Sequence, residues 1–315
     1  MKLFEHNDLL GCLALHTNRI AVEEKHIREM KSRWGSFDRF ASFLLNKKHG
    51  PMLQTMQKIY EEHERNGIHL LPWYADEYPS LLKEIQNAPY ILFYKGDISI
   101  IKRNTISIVG TRNASNMGLY LCEFLSEYFS SKGFCIVSGM AKGIDTTAHE
   151  TCLSHDSPTI AVVAHGLDRI YPSSNHHLFE HAKENGNLLL ISEYPASMKP
   201  FRHHFIRRNR IISALSRKTL MVEGGIKSGA LITCSYALDQ GREVAAFVHE
   251  TLINNQGAEN LVSEGAENLA DSIHLEIKNW YHSKESTLAR LRGSHRFLGN
   301  GLWVRARVNR EIIAA

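Results

Sequence analysis

From Thr105 onward, six short apolar runs alternate with stretches of helical character: residues 106–109, 134–137, 159–164, 188–191, 219–222 and 244–248. The runs carry no polar alternation, so each reads as a strand covered on both faces. The intervening helical lengths suit crossovers between parallel strands. The expected fold is α/β, an extended Rossmann-like, doubly wound and mostly parallel sheet. Ligands of such sheets sit outside the carboxyl ends of the strands, so the residues directly after each run hold the functional information.

After the first run come Gly110, Thr111, Arg112 and Ser115, then Gly118 on a helix. A glycine at a strand end lets the backbone turn close to a ligand, and the following helix start offers free N–H groups to an anion. Arg112 adds a guanidinium fork suited to phosphate. The same residues would also make an ordinary strand-to-helix turn with an exposed arginine. After the second run, Ser138, Gly139, Lys142 and Gly143 form another anion-friendly turn, with Asp145 in the first helical turn. Asp145 reads first as a capping carboxylate. Glu193 and Glu223 follow two later runs and would suit acid–base chemistry, but no nucleophile motif accompanies them. GxGxxG, GxSxG and HExxH are absent, and the EGGIKSG stretch has Ile226 where a Walker A loop needs glycine. Neither a nucleotide cofactor nor a metal is expected. The adjacent pairs His176, His177 and His203, His204 point their rings in different directions.

The chain of 315 residues has a formal charge of only +4, but the charge is unevenly placed. Residues 199–218 hold seven Lys and Arg and no acid, and the tail after 283 holds seven more against two acids. Without these segments, 23 basic residues face 31 acidic ones, a net of −8. An acidic body with two basic patches suits a phosphate-bearing partner, although a basic cluster alone also fits a solvated loop. In the first patch Phe201 and Phe205 interleave with Arg202, Arg207, Arg208 and Arg210. Cations beside aromatic faces are what a sequence-tolerant groove for single-stranded nucleic acid needs. Core packing is the competing role, expected for at least one of the two phenylalanines, and Ile211, Ile212 and Leu215 are expected to pack inside.

Residues 1–66 read as a small helical domain, from the spacing of Leu9, Leu10 and Leu13 and of Phe37, Phe40, Phe43 and Leu44, punctuated by Gly35, Gly50 and Pro51. Residues 67–104 form a connector packed on the core, with a strand ending at Gly96 and Asp97. Residues 105–283 form the Rossmann-like domain, and 284–315 a basic tail read as disordered or foreign to the folded part. Five scattered cysteines without CxxC, and no apolar run of signal-peptide or membrane-span length, point to a cytoplasmic protein without disulfides or membrane attachment.

The segments GTRNASNMG, SGMAKGIDTTAH, GLDRIYPSSN, FIRRNRIISALS, VEGGIKSGALIT and QGAENLVSEGA, preceded by YPSLL and FYKGD, occur in this order. Together they resemble the DNA-processing protein A family, DprA, also called Smf, over about residues 70–275. The resemblance implies a non-enzymatic protein of natural transformation and recombination that binds and protects incoming single-stranded DNA, loads the RecA recombinase onto it, and works as a homodimer. It implies Arg112, Arg208 and Arg210 as DNA-lining residues with Lys199 and Arg207 beside them, and Asn209 and the SGMAKGID turn shaping the pocket. The full candidate set is Gly110, Arg112, Ser115, Ser138, Gly139, Lys142, Gly143, Lys199, Phe205, Arg207, Arg208, Asn209, Arg210, Lys227, Ser228 and Gly229. A nucleotide-binding or nucleotide-hydrolysing enzyme of the phosphoribohydrolase type is the alternative. VEGGIKSG is superficially similar to that signature, but its glutamate precedes the glycines and no Thr-x-x-Glu follows them.

Overall fold

The computed structural model describes residues 6–280, except 21–22, 250–251, 253–254, 274–275 and 278. The basic tail after residue 283 lies outside the described residues. Four helices come first: α1 (His6–Thr17), α2 (Glu24–Glu29), which runs on into a π-turn at Met30–Trp34, α3 (Phe37–Leu44) and α4 (His49–Arg65). Pro51 falls in the opening turn of α4, where its missing N–H would have had no helical partner. Then come β1 (His69–Pro72), α5 (Ser80–Lys83) and β2 (Ile91–Lys95).

The six apolar runs become β3 (Thr105–Val109), β4 (Cys135–Ser138), β5 (Thr159–Val163), β6 (Leu188–Ser192), β7 (Lys218–Met221) and β8 (Glu243–Ala246). They alternate with α6 (Asn116–Ser131), α7 (Ile144–Ser154), α8 (His176–Asn185), α9 (Arg202–Ala214) and α10 (Gly229–Asp239). The described chain closes with α11 (Gln256–Ser263), β9 (Glu267–Asn268) and α12 (Leu269–Ser272). Among the described residues the sheet has nine strands in the order β1-β2-β6-β5-β4-β3-β7-β8-β9. The six central strands pair in parallel, as the uninterrupted apolar runs predict, and β9 continues the parallel pairing. The β1–β2 hairpin adds two antiparallel strands beside β6.

Successive side chains of each central strand feed opposite layers. Val109, Cys135, Val137, Ile160, Val162, Leu189 and Ile191 pack under α9 and α10. Their neighbours Ile108 and Ile136 pack under α6 and α7, while Ala161, Val163, Leu188 and Leu190 share a core with the N-terminal helices. Period-two alternation between two apolar layers makes the three-layer architecture, since neither face of the sheet is left for water. Ile211, Ile212 and Leu215 lie in this core, as expected. All five cysteines are buried and free.

The chain leaves β3 toward β4 and returns after β6 to β7 on the other side of β3, so the switch point lies between β3 and β7. The N-terminal helices reach the same rim. His16 Nε2 of α1 donates to the Glu193 carbonyl at 2.7 Å, and the Ala196 N–H donates to His63 Nε2 at 2.9 Å. His63 Nδ1 in turn donates to the Ile59 carbonyl at 2.7 Å, which fixes its neutral tautomer. The loop between β6 and α9 is therefore held by two histidines that are distant in sequence.

Within the helical layer, α1 and α3 touch backbone to backbone. The Phe37 N–H donates to Asp8 Oδ1 at 2.6 Å, and a Cβ at Gly11 would enter the backbone of Phe37 and Asp38. Gly11→Ala gains about 0.5–1 kcal/mol of helix propensity but meets an overpacking cost of about 1–3 kcal/mol. The expected outcome is net destabilisation, read as a lower urea midpoint with an unchanged m-value.

Candidate functional site

At the carboxyl end of the sheet, the turns after β3, β4 and β5 and the first turns of α9 enclose a cleft of about 420 Å³. Arg112, Gly139, Lys142 and Phe205 of the expected set line it, together with Met140, Ala141, Ala164, His165, Tyr171 and Pro172. Arg112 is exposed, with its guanidinium carbon 5.2 Å from the centre of the Phe205 ring. Tyr171 is also exposed and extends the platform, its ring 5.8 Å from Phe205, with His165 6.1 Å beyond. Two cations, Arg112 and Lys142, thus meet the Phe205 and Tyr171 rings, tilted 52° to each other, at one open mouth, with buried His165 edge-on behind Tyr171. Phe201 is 49% exposed and Phe205 half-buried, so the expectation that at least one would be core fails. Their positions at the start of α9, beyond the last strand residues, put them at the rim.

Beneath the cleft, several glycines and hydroxyls serve internal packing. A Cβ on Gly110 would strike the Ile144 side chain, and one on Gly143, whose φ is +77°, would strike the Thr111 and Arg112 carbonyls. Ser138 Oγ donates to the Ile108 carbonyl at 2.7 Å across the sheet. Gly139 leaves room for a side chain, because the space a Cβ would take is filled by the Arg208 guanidinium and the Asp145 carboxylate.

Arg208 and Arg210 lie inside. Arg208 is 3% exposed, and its NH1 donates to the Val162 carbonyl at 2.7 Å. Burial, opposed by Asp145 and reinforced by Arg112, lowers the guanidinium to about 10. Burial also raises the Asp145 carboxyl above the usual carboxylate range, against the pull of Arg208 and the Ala141 N–H at 3.3 Å. Arg210 NH2 donates to Glu193 Oε2 at 2.5 Å, and exposed Arg207 reaches the same oxygen at 3.3 Å. Asn209 Nδ2 donates to the Gly229 carbonyl at 3.1 Å and couples α9 to α10. The RRNR stretch therefore holds one exposed side chain, Arg207, followed by three buried anchors.

Glu223 lies at the switch point. Its Oε2 accepts from Ser115 N at 2.9 Å and from Ser115 Oγ at 3.0 Å, and Ser115 Oγ accepts from Gly118 N at 3.0 Å. Gly118 is a glycine because a Cβ would overlap this carboxylate. Burial raises the Glu223 carboxyl, partly offset by the two Ser115 bonds. Ser228 caps α10 by accepting from Leu231 N at 3.2 Å. Exposed Lys227 and Gly229 stand outside the lining of the Arg112 cleft, as does exposed Lys199. Glu193, Glu223 and Asp145 each have separate internal partners and form no shared acid–base pair. His165, Tyr171 and Pro172 are not among the residues expected from the sequence; Tyr171 and Pro172 lie in the GLDRIYPSSN segment, and His165 directly precedes it.

Residues 69–278 match the family described as DNA recombination-mediator protein A. The chain is 41% identical over 192 residues to the DNA processing protein DprA of Bacillus subtilis, covering 61% of this chain and 64% of that protein. It is 40% identical over 215 residues to protein Smf of Synechocystis, covering 67% and 54%. The matched region thus spans between about half and two thirds of these relatives' lengths. Among solved structures, DprA from Streptococcus pneumoniae superposes with a TM-score of 0.64 at 29% identity, covering 87% of this chain and 93% of that one. DprA from Helicobacter pylori, described for its single-stranded DNA binding mode, gives 0.59 at 26% identity over 69% and 96%.

His149, in the α7 layer below Arg208, tests this buried arrangement. Thr159 Oγ1 donates to the Ile136 carbonyl at 2.8 Å, so it accepts from His149 Nδ1 at 2.8 Å, and Nε2 is buried without a partner among the described residues. Burial and then the Arg208 charge hold this imidazole down to about 3. Because the folded value lies below the ordinary 6.5, the unfolded chain takes up the proton first. The contribution is present above about pH 6.5 and is lost as the pH falls toward about 3, at up to about 1.4 kcal/mol per pH unit. His149→Leu is expected to flatten the fall in urea midpoint between about pH 6.5 and about pH 5, relative to the parent.

Proposed function

The chain belongs to the DNA recombination-mediator protein A family, and from that premise we propose that it binds single-stranded DNA along the carboxyl rim of its sheet. The observation that carries this reading is the open cleft where the Arg112 guanidinium lies over Phe205 beside Tyr171 and Lys142. A phosphate seated on Arg112 and Lys142 puts the neighbouring base over a ring face. Stacking of this kind tolerates any base and contributes about 1–3 kcal/mol for each one. Gly110, Ser115, Ser138, Gly139, Gly143, Arg208, Asn209 and Arg210 hold the platform in place. Lys199, Arg207, Lys227, Ser228 and Gly229 extend the surface around it. The single-stranded DNA binding described for the Helicobacter pylori relative supports the same choice of ligand.

The family resemblance extends the proposal to protection of incoming DNA in transformation and recombination, loading of RecA, action as a homodimer, and a cytoplasmic location. Among the described residues no helix is long and apolar enough to cross a membrane. The proposed role is non-catalytic. The engagement of Glu223 by Ser115 and of Asp145 beside Arg208 supports this, since both carboxylates nearest the Arg112 turn have an internal role. The phosphoribohydrolase-type alternative needs a carboxylate facing the substrate.

Two measurements test the reading. Arg112→Ala is expected to weaken binding of a labelled oligothymidylate about tenfold to a hundredfold, the worth of a charge-assisted contact. It should also reduce the slope of log K against log salt by about 0.7. Equal binding by both proteins would remove Arg112 from the interface. Incubation with nucleoside monophosphates is expected to release no free base, and detectable turnover would favour the alternative.

A further inference from the structure

A second cleft, of about 690 Å³, opens where the end of α1 meets the loop after β6 and the first turns of α9. We propose that it is a second nucleotide subsite, which holds the stretch of single strand leaving the Arg112 cleft. The proposal rests on the rim reading above and adds the N-terminal helices to the DNA path.

Three features carry it. The first is continuity, since α9 is shared: Phe205 lines one cleft, while His203, His204 and Arg207 line the other. A strand crossing the start of α9 passes from one to the other.

The second is charge. Arg19 and Arg207 are exposed at the lining, and Arg19 has no ion pair among the described residues. Arg19, in the turn just after α1, lies in the left-handed region with a φ of +58°, and its N–H donates to the His16 carbonyl at 2.9 Å. The one acid of the lining, Glu193, accepts from Arg210 NH2 and is ion-paired with Arg207 Nε at 3.3 Å, so the seat keeps an excess of positive charge.

The third is an unused acceptor. Glu193 is 5% exposed, and its Oε1 has no hydrogen-bond partner among the described residues. The Tyr194 hydroxyl, also buried, has none either, and the Tyr194 ring stacks on His204 at 4.0 Å. A carboxylate oxygen accepts, so its partner must bring an N–H or O–H donor. Nucleobases carry such a donor on an exocyclic amino group or a ring nitrogen, and the phosphate beside the base matches Arg19 and Arg207. A nucleotide therefore supplies both complements at once, whereas an inorganic anion would leave the carboxylate unanswered.

The experiment titrates labelled oligothymidylates of increasing length against the parent, Arg19→Ala, Arg19→Lys and Arg112→Ala, between about 50 and about 200 mM salt. With long oligonucleotides Arg19→Ala should lower the salt slope by about 0.7, and its loss of affinity should shrink as the strand shortens. Arg19→Lys keeps the charge and should restore the slope. Arg112→Ala should weaken binding at every length. If Arg19→Ala matches the parent at every length while Arg112→Ala is weakened, the second subsite is wrong and the rim reading stands. A loss with Arg19→Ala that does not vary with length also overturns the subsite. If Arg112→Ala itself binds like the parent, the rim reading fails.

Discussion

A guanidinium taken out of water is among the most costly groups to bury, and in this protein Arg208 is held inside where the ends of β4 and β5, α7 and α9 converge. Its position is supported only by what surrounds it: the Val162 carbonyl, the Asp145 carboxylate and the missing side chain of Gly139. Removing one partner of such an arrangement leaves a buried charge uncompensated, at a cost of about 3–5 kcal/mol. The charge therefore acts mainly as a constraint on geometry. With Arg208 under Gly139, the start of α9 is set against the turn after β4, and Phe205 is set beneath Arg112. The exposed platform depends on a cation that never reaches the surface.

The same logic operates at the switch point. A helix N-terminus after the first strand of a doubly wound sheet is a natural seat for a phosphate. Here Glu223 from the end of β7 supplies the anion from within the chain, bound to Ser115 N and Oγ in the space that Gly118 leaves open. The glycines after β3 and β4 likewise accommodate protein atoms. The turn after β3 thus works as an internal joint, and the exposed cations and rings lie further out, at Arg112, Lys142, Tyr171 and the start of α9.

The N-terminal helices belong to this rim as well as to the core beneath it. His16 and His63 fasten the loop between β6 and α9 by hydrogen bonds to the Glu193 carbonyl and from the Ala196 N–H. That loop carries Glu193 and Tyr194 and leads into the basic helix, so a change in the packing of α1 or α4 reaches the proposed DNA path through two hydrogen bonds.

Much of the fold was legible in the chain order of the residues. Six runs without polar alternation dictated a buried parallel sheet, and residues at strand ends marked the rim, because periodicity and turn chemistry are local properties. The basic segment 199–218 was equally plain. Which of its arginines meet solvent was not, since Arg207, Arg208 and Arg210 differ only in the direction each takes from one helix. That direction becomes an environment only when Val162, Asp145 and Glu193 arrive from other strands. Nor could the sequence show that Glu223 answers Ser115, 108 residues away, or that His16 answers Glu193 across 177. Local pattern and composition are enough to place the layers, the rim and the charge. Which charges become anchors and which stay exposed is set by the fold, because burial and pairing depend on contacts that no local pattern encodes.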